Sequence, residues 1–414
     1  VSRLKRRVEM DKSKEFEMKE IKGGVTAPQG FKASGVACGI KQSGNLDMSL
    51  LVSEGVASAA AVFTTNKMAA APVHLSKKHL ADGRAQAVVI NSGNANACTG
   101  DGGYEDAIKM AQVTGAALGI DPHDIVVSST GIIGVPMPMD KVEAGIKDGA
   151  SKLSADGGGC AAEAIMTTDT FMKEHAVSFD FDGIEVKVGG MAKGSGMIAP
   201  NMATMLAVVA TDAAVAPELL KSMLVGAIDK SFNSITVDGD TSTNDMVVVV
   251  ANGASGAEVT AGNEAVFQAA LDKVCIELAK LIIRDGEGAT KFIEIDVVGA
   301  ASAGDAKKAA MAIANSNLVK TAFFGQDANW GRIVAAVGYS SAEVDASKVD
   351  VYYGEEKLVE NGRVVAYDEA KVGAVIQAKD IKVTVDLKLG SGAARVWTCD
   401  FSYDYVKINA EYHT

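Results

Sequence analysis

Strand-like and helix-like segments alternate along this chain, and that alternation restricts the fold more than any other feature. The apolar segment 85–93 indicates a buried strand, 104–120 indicates a helix, and 124–129 indicates a second strand. A strand, a helix and another strand in succession are typical of a βαβ unit. The sequence therefore predicts an α/β fold with its functional loops beyond the strand ends.

Further elements are predicted towards the C-terminus. Apolar residues at helical spacing from Phe267 to Ile282 indicate a helix. The glycine-containing segment 284–288 is predicted to end this helix. Alternation over 293–297 indicates a half-buried strand, and 307–316 has helical character. Two alternating runs around the turn Gly390–Gly392 predict a long antiparallel hairpin.

The expected domain organisation has three parts. We expect a disordered extension over residues 1–23, a main domain over 24–300, and a smaller C-terminal α/β domain over 301–414. The segment 299–316, rich in small residues, is the predicted junction.

Composition excludes several classes of protein. The chain has 40 basic and 52 acidic residues, a formal charge of −12, so it lacks the basic field that binds nucleic acid or anionic lipid. No apolar run reaches the roughly 18 residues of a membrane span. Five widely spaced cysteines fit reduced thiols of a cytoplasmic protein, and we expect them to be small core residues: Cys38, Cys98, Cys160, Cys275 and Cys399.

The segment KGSGMIAPNMATML, residues 193–206, places a lone Thr204 between a glycine-containing loop and an apolar run. A threonine hydroxyl becomes an effective nucleophile when the residue is N-terminal, because its own α-amine then acts as the base. This would require cleavage between Ala203 and Thr204. The local pattern alone favours a threonine that merely begins a strand, because threonine is common at that position.

Six other stretches are informative together with this one. They are NSGNANACTG (91–100), SSTGIIG (128–134), MTTDT (166–170), VDGDTSTND (237–245), RDGEGATK (284–291) and FGQDANWGRI (324–333). In the same order, all seven resemble the signature segments of the ornithine acetyltransferase family, the glutamate N-acetyltransferases of arginine biosynthesis. The resemblance covers residues 24–414, nearly the whole chain.

The resemblance implies a fold and a reaction. The implied fold is an αββα sandwich with a smaller C-terminal α/β domain. The implied enzyme is an acyltransferase that cleaves itself at Ala203–Thr204. Thr204 then accepts acetyl from N-acetylornithine and passes it to glutamate in a ping-pong mechanism. Thr130 and Gly131 would form the oxyanion hole.

The resemblance also implies substrate contacts and an assembly. Besides Thr204, the implied substrate-binding residues are Thr170, Lys193, Glu287, Asn409 and Thr414. Within MTTDT, spacing favours Thr170 over the alternatives Thr167 and Thr168. The chains 1–203 and 204–414 would assemble as α₂β₂. No cofactor is expected, and the sequence leaves open whether acetyl-CoA serves as a second donor.

Other interpretations remain open from the sequence. Water in place of glutamate would make the chain an amide hydrolase or aminopeptidase. An unprocessed chain would be a non-catalytic amino-acid-binding protein. The aspartates of VDGDTSTND lack the offsets of a calcium loop and predict a structured turn near the site, and the five histidines form no metal motif. No metal is therefore predicted.

Overall fold

A computed structural model describes residues 17–198 and 205–411. The strands are β1 (Met18–Ile21), β2 (Phe31–Val36), β3 (Met48–Phe63), β4 (Arg84–Asn94), β5 (Ile125–Ile132), β6 (Lys173–Phe181), β7 (Ile184–Lys193), β8 (Leu206–Thr211), β9 (Ala214–Val215), β10 (Ile235–Thr236), β11 (Met246–Ala251), β12 (Glu258–Val259), β13 (Phe292–Ala300), β14 (Asp350–Tyr353), β15 (Glu356–Glu360), β16 (Arg363–Val364), β17 (Asp380–Asp386) and β18 (Gly392–Cys399). The α-helices are α1 (Ala71–His79), α2 (Gly100–Leu118), α3 (Met139–Ser151), α4 (Gly158–Ala164), α5 (Pro217–Lys230), α6 (Glu264–Arg284), α7 (Ala303–Ala314), α8 (Asn317–Phe324), α9 (Trp330–Gly338), α10 (Glu369–Gln377) and α11 (Tyr403–Glu411).

The described residues divide into two compact units. The first unit contains 17–233 and 240–282, apart from the undescribed residues 199–204. The second unit contains 234–239 and 283–411.

A nine-stranded sheet forms the centre of the first unit, in the order β1-β6-β7-β8-β11-β3-β4-β5, with β2 also paired to β3. β3 is 16 residues long, so it pairs with both β2 and β11 along one edge and with β4 along the other. Its register with β4 shifts between Val52 and Ala57, as at a β-bulge, which bends a strand.

The side chains on the two faces of this sheet pack against different partners, which defines the layers of the first unit. Residues of both halves of the sheet share one buried apolar cluster on the inner face: Val88, Ile90, Val126, Leu206, Val208 and Val248. Val89 and Val127 point to the opposite face and pack with Met110 of α2 and Ile146 of α3. On the other half, Leu278 of α6 lies against Gly190 of β7. The first unit is therefore an αββα sandwich, as expected.

The predicted βαβ unit is confirmed, since β4, α2 and β5 follow in sequence and β4 and β5 are parallel. The predicted disordered extension is wrong for residues 18–21, because β1 is paired antiparallel with β6 through the register Met18↔Phe179 to Ile21↔Ala176. Residues 1–16 lie outside the described part of the chain.

The second unit is built on a seven-stranded sheet in the order β10-β18-β13-β17-β14-β15-β16. The predicted alternation of β13 is confirmed: Ile293, Ile295 and Val297 belong to a buried cluster that also includes residues of α7. On its other face, Asp296 accepts two hydrogen bonds from Arg395 at 2.6 and 2.9 Å.

The predicted hairpin of β17 and β18 is wrong, because β13 lies between them. β13 pairs parallel with β17 and antiparallel with β18. The connecting loop crosses the end of β13, where the backbone N–H of Leu387 donates to Val298 O at 2.9 Å and that of Gly390 donates to Gly299 O at 2.9 Å. Insertion gives the apolar β13 hydrogen-bonded neighbours on both edges, which a local hairpin could not supply.

The predicted main-domain boundary at residue 300 falls at the end of β13, whereas contacts group β13 with the second unit. Its pairing with β17 and β18 is the physical reason. Within the second unit, the predicted helix 307–316 corresponds to α7.

The five cysteines are all free, but they are not all core residues. Cys275 and Cys399 are buried, as expected, whereas Cys98 and Cys160 are exposed. Cys98 has a positive φ of 57° in the loop before α2. In the ranges 17–198 and 205–411, no helix is long and apolar enough to cross a membrane.

Candidate active site

The end of β5 carries the two residues predicted for the oxyanion hole. β5 extends to Ile132, so Thr130 and Gly131 belong to the strand and not to a turn after residue 129. Gly131 has a φ of 132°, and a Cβ there would lie 2.4 Å from the carbonyl carbon of Gly93. Only glycine fits this close approach of two strands.

The asparagine-rich end of β4 supports this strand end. Asn91 accepts a hydrogen bond from Ser129 Oγ at 2.6 Å, and its own amide donates to Asn94 O at 2.8 Å. From the segment 241–245, the Asn244 side chain donates to Ser129 O at 2.8 Å. These buried amides position Thr130.

Lys193 reaches the same place from the end of β7. Its Nζ lies 3.4 Å from Thr130 Oγ1, and the residue is 9 % exposed. Antiparallel pairing sets Lys193 opposite Leu206, at the start of β8. The structure therefore brings together three predicted site residues, Thr130, Gly131 and Lys193.

A buried ion pair lies beside this cluster. Lys173 Nζ donates to Asp169 Oδ1 at 2.6 Å, and both side chains are fully buried. The same oxygen accepts from the backbone N–H of Gly194 at 2.7 Å. Burial alone would raise the pKa of Asp169, but the charges of Lys193 and Lys173, with hydrogen bonds to the carboxylate, lower it to about 2. Asp169 is therefore ionised at neutral pH.

A second buried carboxyl group, Asp245, precedes β11. Burial raises its pKa well above the usual range, although Ser242, Lys193 and the backbone N–H of Met205 favour the ionised form. Within the described part of the chain, its Oδ2 has no hydrogen-bond partner. β11 and β8 are parallel, and Met246 is paired with Leu206. Asp245 therefore lies next to Met205, the residue directly before β8.

Four other predicted site residues are Thr170, Ala203, Thr204 and Thr414. Thr170, three residues before the start of β6, is exposed. Thr204 and its predicted cleavage partner Ala203, as well as Thr414, lie outside the described residues.

The second unit holds two other predicted substrate-binding residues. Asn409 of α11 donates from Nδ2 to Glu287 Oε2 at 2.8 Å, and Glu287 is 8 % exposed. Ser402 Oγ donates to Gly288 O at 2.6 Å, which holds the loop after α6 against the start of α11. The pair is a carboxylate with an amide, a combination suited to a ligand ammonium group.

Sequence reasoning missed Lys173 and the role of Asp169. Asp169 lies within the MTTDT stretch, where the implied substrate contact is a threonine, and lysines such as Lys173 are rarely buried completely. VDGDTSTND was predicted to be a structured turn near the site, and the bonds from Asn244 to Ser129 agree with that prediction. Arg332 of the WGR segment donates to Leu318 O at 2.6 Å and so connects α9 to α8.

The cluster in the first unit is suited to anionic groups. It combines a hydroxyl, a lysine ammonium and a strand end shaped by glycine, all of which stabilise negative charge. Among the described residues, no group of three or more histidine, cysteine or acidic side chains is arranged to hold a metal ion.

Comparisons with known proteins show which family the chain belongs to. The family model described as "ArgJ family" matches residues 32–414. The chain is 54 % identical over 402 residues to the arginine biosynthesis bifunctional protein ArgJ of Symbiobacterium thermophilum. The aligned region covers 96 % of this chain and 100 % of that protein. The protein of the same name from Geobacter sulfurreducens is 52 % identical over 390 residues, covering 93 % and 99 %.

Solved structures also match. The crystal structure of the ornithine acetyltransferase of Mycobacterium tuberculosis, complexed with ornithine, is 44 % identical, with a TM-score of 0.43, covering 45 % of this chain and 100 % of that chain. The family match and the high identity to curated relatives confirm the family indicated by the seven stretches. The chain belongs to the ArgJ family.

Proposed function

We propose that this chain is a glutamate N-acetyltransferase of arginine biosynthesis, with N-acetylornithine as donor and glutamate as acceptor. The observation that carries the proposal is the cluster of Thr130, Gly131 and Lys193, opposite the start of β8. Thr204 is two residues before β8 in the sequence. The relatives' names, which place them in arginine biosynthesis, support the same reaction class.

The first half-reaction transfers acetyl to the enzyme. Thr204 Oγ attacks the acetyl carbonyl, an ester bond forms, and the amide C–N bond breaks as the ornithine amine leaves with the hydroxyl proton. In the second half, the glutamate amine attacks the ester carbonyl. The C–O bond breaks, N-acetylglutamate leaves, and Thr204 Oγ regains a proton.

Both half-reactions pass through a tetrahedral oxyanion. We assign its stabilisation to Thr130 and Gly131, with Lys193 supplying positive charge beside Thr130. Thr170, Lys193, Glu287, Asn409 and Thr414 are proposed to bind the amino and carboxylate groups of the substrates. Hydrogen bonding between Glu287 and Asn409 supports their joint role.

Processing would create the active form. Cleavage at Ala203–Thr204 frees the α-amine of Thr204, which then serves as its base. By the family resemblance, the chains 1–203 and 204–414 assemble as α₂β₂. The free state of all five cysteines fits a reducing compartment, and we propose a cytoplasmic location.

A second donor, acetyl-CoA, is proposed because the relatives are named bifunctional. Acetyl would then enter by thioester cleavage as well as by amide exchange. No bound cofactor is required by either route.

The test is an assay of purified protein with N-acetylornithine and glutamate, in which N-acetylglutamate and free acetate are both quantified. We expect N-acetylglutamate to form in proportion to ornithine released, and Thr204→Ala to be uncut and inactive. Acetate release without acetyl transfer would instead show a hydrolase. An intact chain without transfer would show a binding protein.

A further inference from the structure

A cavity in the first unit, away from the side chains of the Thr130–Lys193 cluster, is lined by cations. Its volume is about 530 Å³, and it is formed by the end of β3, the loop after it, α1 and α5. Its charged or imidazole lining groups are Lys67, His74, Lys77 and Lys221. None of the described residues that line it is an aspartate or glutamate.

The helices direct three of these groups to one place. His74 and Lys77 are three residues apart on α1 and therefore share a helix face, while Lys221 comes from α5. Lys77 Nζ lies 5.5 Å from the centre of the Phe63 ring. Within residues 17–198 and 205–411, Lys67, Lys77 and Lys221 make no ion pair with a carboxylate, although the chain has a net charge of −12. Their combined charge favours an anionic ligand.

The remaining lining suits the organic part of a ligand. Apolar side chains from Ala61, Phe63 and Val225 lie in the same cavity as the polar residues Thr64 and Asn66. A mixed apolar and polar wall of this volume is typical of small-molecule sites. Cations together with an aromatic ring favour a nucleotide, which carries phosphates and a flat base.

The cavity wall is bonded to the segment that supports Thr130. Thr64 Oγ1 donates to Ser242 O at 2.8 Å, and Asn66 Nδ2 donates to Thr241 O at 2.9 Å. Asn244, in the same segment, donates to Ser129 O. One short segment, 241–245, therefore connects the cavity to the strand end that carries Thr130.

We propose that this cavity binds the phosphate-bearing nucleotide half of a coenzyme A thioester. The inference rests on the proposed acetyl-transfer function and gives its second donor a site. On transfer, the thioester C–S bond breaks as the ester to Thr204 Oγ forms, and the hydroxyl proton passes to the sulfur, which leaves as the coenzyme A thiol. Lys67, Lys77 and Lys221 bind phosphate oxygens, and the Phe63 side lies against the base.

The experiment is isothermal titration calorimetry of coenzyme A into the purified full-length protein at low ionic strength. A double variant, Lys77→Gln with Lys221→Gln, is compared with Lys78→Gln. All three lysines are exposed, but Lys78 does not line the cavity. We expect wild-type binding to weaken with added salt and to fall by about tenfold or more in the double variant. Lys78→Gln should change it by less than about twofold.

Two further titrations identify what is recognised. Adenosine diphosphate should bind with the same dependence on Lys77 and Lys221. Inorganic phosphate binding as tightly as coenzyme A would overturn the nucleotide assignment. The site is also refuted if wild type does not bind coenzyme A, or if Lys78→Gln weakens binding as much as the double variant does. Acetyl transfer from N-acetylornithine is measured separately. Failure of that transfer would contradict the proposed function, whereas the proposed nucleotide site is tested by the titrations alone.

Discussion

Two buried aspartates in the first unit have pKa values shifted in opposite directions, and the difference comes from their cationic neighbours. Asp169 contacts Lys173 at 2.6 Å and has a pKa lowered to about 2. Asp245 is equally buried, but burial dominates there and raises its pKa well above the usual range. Burial alone therefore does not set the charge of a carboxyl group; direct pairing does.

The opposite pKa shifts indicate that the two aspartates have different roles in the proposed site. Asp169 is an anion that holds Lys173 and the backbone of Gly194 in place, and the charge of Lys193 favours its ionised form. Burial raises the pKa of Asp245 and favours its uncharged form beside Met205, where a second anion would oppose the developing negative charge of an oxyanion.

The largest expected effect follows from removing Asp169. Asp169→Ala leaves the ammonium group of Lys173 buried without its partner, and we expect a loss of about 3–5 kcal/mol in the free energy of unfolding. The matched control is Asp148→Ala, which removes an exposed pair with Lys152 and should cost less than about 1 kcal/mol. Chemical denaturation measures both; equal losses would contradict the account.

The same pair predicts the acid response. Because the folded pKa of Asp169 is below its ordinary 3.8, its stabilisation is fully present above pH 3.8 and is lost as the pH falls through about 2. The stability difference between wild type and Asp169→Ala should therefore be constant near neutral pH and shrink in acid. A difference that grows in acid would refute the assignment.

A smaller effect is expected from Lys193→Gln. The change removes a charge beside Thr130 and the strongest factor that lowers the Asp169 pKa. Loss of one charged contact to substrate should reduce kcat/KM for acetyl transfer by about 10–100-fold. Lys187→Gln, on the same strand but paired with Glu185 at 3.7 Å, is the control and should leave kcat/KM nearly unchanged.

The smallest effect is expected from Asp245→Asn. A raised folded pKa means that the stabilisation by Asp245 is present below pH 3.8 and is lost as the pH rises through the folded value. The amide cannot ionise, so the variant should gain stability relative to wild type as the pH rises. Denaturation curves across the pH range check this, and a pH-independent difference would show that Asp245 is charged at neutral pH.

The sequence predicted the local elements well but not the long-range pairing. Val88 to Ile90 and Ile293 to Val297 showed their strand pattern directly, because side-chain alternation or apolarity is a local property. The insertion of β13 between β17 and β18 could not be predicted, because an alternating strand has the same sequence pattern whichever strand it pairs with.

The site was predictable in part for a similar reason. Thr130, Gly131 and Lys193 were expected from the resemblance, and the structure places them together. The pairing of Lys173 with Asp169 was not predicted, because complete burial of a lysine depends on contacts that no local pattern records. The raised pKa of Asp245 was likewise not predicted, because it depends on complete burial without a direct cationic partner among the described residues.

The most direct test of the central claim is mass spectrometry of the protein after incubation with N-acetylornithine in the absence of glutamate. The proposed mechanism predicts a fragment that begins at Thr204 and carries one acetyl group on that residue, and this acetyl group should be lost when glutamate is added. An uncut chain, or acetyl on another residue that still reaches glutamate, would contradict it.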